Sequence, residues 1–198
     1  MRPEKQRART IDALPDQAPP QIPDYQMVRC IGRGSYGDIW LAKNVVGTWR
    51  AVKVVYRARF DNPRPFEREF MGIKTYEPIS RTNEGLVDVL HIGRNDADGY
   101  FYYVMELADD AEGSHRDASA EPKGPVADQA LLSYCPKTLA GEIKTRGSIP
   151  VEECIPLGIS LCLALGHLHQ NGLIHRDVKP SNIIFVSGVS IIDFLVLL

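Results

Sequence analysis

The sequence lacks the features that mark several large classes of protein. Its 23 Lys and Arg are outweighed by 25 Asp and Glu, giving a formal net charge of −2 and a pI near 6.2. Without a basic excess there is no field to neutralise a phosphate backbone, so nucleic acid is not an expected partner. Cysteine is scarce, and Cys30, Cys135, Cys154 and Cys162 stand far apart with no C-x-x-C pair. That spacing excludes the common zinc motifs and a dense disulfide framework. The start, Met-Arg-Pro-Glu-Lys, has no secretory signal, and the expectation is reduced thiols in a cytoplasmic protein. Long apolar runs are also missing. The longest uncharged stretch, Cys154 to His175, carries Gln170, Asn171 and three His, and its helical period reads as a buried helix rather than a membrane span.

What is present is an ordinary globular composition, 44% hydrophobic and 24% charged over 198 residues, enough for one domain or two small lobes. Residues 1–24 hold five Pro and no apolar period, and read as a flexible leader. From Tyr25 the pattern changes. Gln26 to Ile31 alternates like a strand, Gly32 to Gly37 is a glycine-rich turn, Asp38 to Ala42 returns as a strand, and Trp49 to Val55 adds a third. Pro65 opens a helix with Phe66, Phe70 and Ile73 on one face. Leu86 to Ile92 and Tyr100 to Leu107 read as two further strands around Asn95 to Gly99. Residues 25–107 therefore form a small lobe of five strands and one helix.

Residues 108–132 show nothing periodic and read as an insertion or linker. In residues 133–198, Leu139 and Ile143 suggest a short helix. Val151 to Gln170 suggests a longer one, with Leu157, Leu161, Leu165 and Leu168 among its apolar residues, acidic Glu152 and Glu153 at its start and Gly172 as its stop. Pro156 must lie near its first turn or kink it. The fold class is α+β.

Three motifs carry chemistry. Gly32-Arg33-Gly34-Ser35-Tyr36-Gly37 is a glycine loop, weak evidence alone. A dinucleotide-binding fold needs a helix directly after the last Gly, whereas Ile39-Trp40-Leu41-Ala42 reads as strand. Lys53, in Ala51-Val52-Lys53-Val54-Val55, shares a strand face with apolar neighbours and wants an anion, unless it snorkels to water at a sheet edge. Glu69 borders the buried stripe of its helix and is the candidate partner, while Glu67 falls outward. The third motif is strongest. His175-Arg176-Asp177-Val178-Lys179-Pro180-Ser181-Asn182 brings a proton acceptor, a cation and a metal-binding amide oxygen into one turn, which phosphoryl transfer requires.

This last stretch resembles the catalytic loop of protein kinases, in the serine/threonine form because of Lys179, and the strand, glycine loop, strand arrangement is similar to theirs. The resemblance implies a protein-kinase-like fold and use of ATP and Mg2+ on a protein substrate with Ser or Thr. It implies Asp177 as catalytic base, Lys179 on the transferring phosphate, and Lys53 paired with Glu69 on the α- and β-phosphates. It places the nucleotide among Ile31, Gly32, Gly34, Gly37, Ile39, Ala51 and Met105, with backbone groups of Glu106 and Ala108 on the adenine. It gives the metal to Asn182 and Asp193.

One departure follows. Asp193-Phe194-Leu195 has Leu where the family has Gly, and the sequence stops at Leu198, before the activation segment and most of the large lobe. The expectation is a complete small lobe with only the first part of a large lobe, and weak activity for the isolated chain. The alternative is a degenerate module that binds ATP or a protein partner and transfers nothing.

Overall fold

The structure, a computed structural model, describes residues 18–112 and 133–192. Residues 1–17, 113–132 and 193–198, with most of the expected leader, most of the expected insertion and Asp193, lie outside the described residues. Within the described end of that leader, Ile22 is not a flexible residue but is buried against the sheet.

Period-2 alternation from Tyr25 onward builds one antiparallel sheet of order β1-β2-β3-β5-β4. Its strands are β1 (Tyr25–Arg33), β2 (Gly37–Asn44), β3 (Trp49–Tyr56), β4 (Val89–Asn95) and β5 (Tyr100–Met105). β4 begins three residues later than the sequence suggests. Leu86 instead forms a parallel bridge with Ile192, far along the chain, and Val87 N–H donates to the Ile192 carbonyl at 3.3 Å.

Both faces of the sheet are apolar, so both are covered. Ala51, Val55, Phe101, Tyr103 and Met105 pack with Phe66, Ile73 and Tyr76. Trp40, Ala42, Val52, Val54, Tyr100, Tyr102 and Val104 pack with Ile22 on the other side. Each fully buried large side chain contributes about 1.5–3 kcal/mol.

Helix α1 (Pro63–Ser80) starts two residues before Pro65, because Asn62 caps it by accepting from Arg64 N–H at 3.2 Å and Pro63 fills the first position. Its buried stripe is Phe66, Glu69, Ile73, Tyr76 and Ser80. Helix α2 (Leu139–Arg146) is capped by Thr138 Oγ1, which accepts from Gly141 N–H at 3.0 Å. Helix α3 (Val151–Gln170) continues through Pro156, which removes one ladder donor without ending the helix.

α3 corrects the expectation of a buried helix. Only Ala164 and Leu168 are fully buried, while Val151, Ile155, Ile159 and Leu163, spaced four apart, are 66, 58, 56 and 66% exposed. The sequence period locates the apolar stripe but not what covers it. By length and composition α3 could cross a membrane, with a mean hydropathy of 1.4. Core helices of soluble proteins pass the same test, so it assigns no membrane role.

After the loop at 171–182 comes a hairpin of β6 (Ile183–Val186) and β7 (Val189–Ile192). Its two-residue turn has Ser187 at φ 51 and Gly188 at φ 77, the left-handed pair that a type I′ turn requires. All four cysteines are free thiols.

Candidate active site

The glycine loop is shaped by sheet geometry first. Gly34 N–H donates to the Gly37 carbonyl at 2.8 Å, closing the turn. A Cβ on Gly37 would lie 2.2 Å from the Val54 carbonyl oxygen. This glycine is therefore demanded by β3, whatever lies under the loop. At Gly32 and Gly34 a Cβ would meet nothing closer than 3.6 and 3.4 Å, ordinary van der Waals contact, so packing alone does not demand glycine there.

Strand register gathers the expected nucleotide residues on one face. Ile39 pairs with Lys53, Lys53 with Tyr103, and Ala51 with Met105, and paired residues share a face. Ile31, half-buried, sits in the β1 bulge between Cys30 and Gly32. Glu106 and Ala108 follow β5 directly. The Glu106 carboxylate accepts from Asp88 N–H at 3.1 Å, and burial raises its pKa. The Ala108 carbonyl accepts from the Tyr134 hydroxyl at 3.0 Å, while Arg29 of β1 donates to the Tyr134 carbonyl. Tyr134 thus ties the returning chain to β1 and to the segment that follows β5.

Lys53 and Glu69 are 6 and 3% exposed. Burial pushes the Glu69 carboxyl up to about 7, against the pull of the Lys53 charge. One Glu69 oxygen is buried with no hydrogen-bond partner, a costly state that favours a nearby cation. Glu67, by contrast, lies outward in a bidentate pair with Arg94 at 2.7 and 2.8 Å.

The loop before β6 converges on Asp177. Lys179 Nζ donates to Asp177 Oδ2 at 2.5 Å, and Asn182 Nδ2 donates to the same oxygen and to the Asp177 carbonyl at 2.8 Å each. Burial alone would raise the Asp177 pKa; the hydrogen bonds from Lys179 and Asn182 and the Lys179 charge more than reverse this and hold it below the ordinary range. His175 is fully buried, and its carbonyl and Nδ1 accept from Asp177 N–H at 2.9 and 3.3 Å. Arg176 between them takes φ 61, a strained value for a side-chain-bearing residue that concentrates at functional turns. With Nδ2 used by Asp177, the amide oxygen of Asn182 is the atom suited to a hard cation. Among the described residues no cluster of three His, Cys, Asp or Glu forms a metal site.

A residue with no signal in the sequence also shapes this region. Asp109 accepts from Ser187 N–H and Gly188 N–H at 2.8 and 2.9 Å, and its own N–H donates to the Phe185 carbonyl at 2.7 Å. It clamps the β6–β7 turn. At the other end of the hairpin, Ile192 N–H donates to the Gly85 carbonyl at 2.9 Å. The hairpin between Asn182 and residue 193 is thus fastened at both ends.

The protein kinase domain family matches residues 25–196. The chain belongs to the protein kinase family. Its relatives are of the serine/threonine kind. It is 30% identical over 173 residues to a probable serine/threonine-protein kinase of Clostridium perfringens, covering 86% of this chain and 21% of that protein. To the serine/threonine-protein kinase PknB of Mycobacterium leprae it is 28% identical over 182 residues, covering 89 and 25%. In fold it is similar to the kinase domain of PknI from Mycobacterium tuberculosis, with a TM-score of 0.61 and 21% identity, over 87% of this chain and 58% of that one. The chain thus spans about a quarter or less of these two curated kinases and somewhat over half of the solved domain. The architecture is that of a kinase small lobe followed by part of a large lobe.

Proposed function

We propose that the chain carries the ATP site and catalytic loop of a serine/threonine protein kinase that moves the γ-phosphate of Mg-ATP to a Ser or Thr hydroxyl of a protein. The observation that carries this reading is the convergence of Lys179 and Asn182 on one oxygen of Asp177. The residues fit the nucleotide: glycines at 32 and 34 that packing alone does not demand, the shared face of Ile39, Ala51 and Met105, and buried Lys53. They fit magnesium at the Asn182 amide oxygen, which is left over once Nδ2 bonds Asp177; Asp193, outside the described residues, would be the second ligand.

When bound, Mg-ATP supplies the phosphoryl group and part of the charge neutralisation around it. Lys53 binds the α- and β-phosphates, and Glu69 orients Lys53. Asp177, whose carboxylate form is favoured by its hydrogen bonds from Lys179 and Asn182, orients the substrate hydroxyl and takes its proton as transfer proceeds. Lys179, already 2.5 Å from Asp177, stabilises negative charge on the moving phosphoryl group. Asn182 fixes the Asp177 carboxylate and offers its oxygen to the metal.

The test is phosphate transfer from Mg-ATP to a generic Ser/Thr protein substrate, comparing the chain with Asp177→Asn. Removing a positioned base lowers the rate by roughly 10²–10⁴-fold. Equal rates for the two proteins would contradict the proposal.

A further inference from the structure

Arg59 is the last residue of the single 3-10 turn Arg57–Arg59 that leads from β3 towards α1. Its guanidinium meets both arms of the glycine loop. Nη1 donates to the Gly34 carbonyl at 3.1 Å, and the two terminal nitrogens grip Asp38 in a fork, Nη1 to Oδ1 at 2.9 Å and Nη2 to Oδ2 at 2.6 Å. The Arg59 and Asp38 side chains are only 16 and 8% exposed, and the guanidinium lies over the Tyr56 ring at 4.7 Å. The neighbouring contacts act in the same direction. Tyr36, at the loop tip, stacks on Phe60 with centroids 4.6 Å apart and planes at 14°, and Tyr56 N–H donates to the Tyr36 carbonyl at 3.1 Å.

Strand alternation decides which side this brace works from. Ile39 faces Lys53 on the nucleotide side, so Asp38 lies on the opposite face with Trp40 and Val54. Arg59 therefore holds the loop from behind. We propose that Arg59, through Asp38 and Gly34, is a positioning residue that fixes the glycine loop over the phosphates and thereby sets affinity for the phosphate chain of ATP. This inference rests on the ATP reading above.

A planar, bidentate ion pair with little exposure holds geometry that a mobile loop would otherwise have to find on binding. Without it, ordering the loop opposes each nucleotide that needs it. Adenosine, which has no phosphates under the loop, does not need it.

The experiment measures ATP and adenosine binding to the full chain by calorimetry, for the native sequence, Arg59→Ala, Arg59→Lys and Asp38→Asn, with thermal melting to verify folding. Arg59→Ala is expected to weaken ATP about tenfold and leave adenosine unchanged. Arg59→Lys keeps the charge but loses the fork, so it should fall between, and it carries the test should the alanine variant not fold. Unchanged ATP affinity in Arg59→Ala overturns the inference. So does parallel weakening of ATP and adenosine, which would mark a general loosening of the lobe. A native chain that binds neither ligand, or binds both equally, overturns the nucleotide reading itself, before Arg59 is at issue.

Discussion

The sheet and helix α3 treat their apolar residues in opposite ways. The sheet buries the apolar residues of both its faces, those of one under α1 and those of the other, Tyr100 and Tyr102 among them, with Ile22. α3 buries Ala164 and Leu168 and leaves the stripe from Val151 to Leu163 open. Lys53 and Glu69 therefore stand on a packed frame. Asp177 and Asn182 stand on a loop whose order depends on local hydrogen bonds and on the β6–β7 hairpin. Burial and polar clamping are two ways to hold a catalytic side chain, and they fail differently.

The largest effect should come from breaking the packed side. Phe66, fully buried against Phe101 at 5.1 Å between ring centroids, should cost about 3–5 kcal/mol as Phe66→Ala in denaturant unfolding. The matching change on α3, Ile159→Ala, should stay within about 0.5 kcal/mol. Equal costs would erase the contrast.

Next is the pH dependence of the packed side. In the folded chain Glu69 keeps its proton up to about pH 7, whereas an unfolded Glu loses it near 4.5. The raised pKa contributes stability that is fully present below the unfolded value and is lost as pH rises to about 7, by as much as about 3 kcal/mol. Unfolding measured at pH 4.5 and 7.5 should show this fall, and Glu69→Gln should flatten it. A slope that survives the substitution would assign it to another group.

The polar clamp should give a smaller effect on stability and a local one on dynamics. Asp109→Ala removes the acceptor of two turn N–H groups; because the turn is exposed, water takes over part of the role and the cost is about 1 kcal/mol. Hydrogen exchange should quicken at Ser187 and Gly188 while β3 and β5 stay protected. Uniform loss of protection would mean that the hairpin and the sheet open together.

Local chemistry was legible in the sequence where one segment decides it. Alternation in Ala51 to Val55 placed Lys53 among apolar neighbours, and helical spacing separated buried Glu69 from exposed Glu67. The turn from His175 to Asn182 carried its own signature because Asp177, Lys179 and Asn182 act within six residues. What stayed hidden joins distant segments. Asp109 reaches Ser187 across 78 positions, and the bridge between Leu86 and Ile192 delays β4. Neither leaves a periodic trace. The apolar stripe of α3 was legible, but its exposure was not, because a period reports which residues align and not what lies against them. Gly37 is a further case: a glycine in a phosphate-loop pattern that the close approach of β3 already requires.

The division of labour between the two regions is tested most directly by calorimetric ATP binding, in magnesium, to the native chain, Lys53→Met and Asp177→Asn. Lys53→Met is expected to weaken ATP by about tenfold or more, through loss of a buried phosphate partner. Asp177→Asn is expected to bind ATP like the native chain and to fail only in transfer. Equal weakening in both variants, or none in Lys53→Met, would contradict a nucleotide site built on the sheet and a separate base held by the loop.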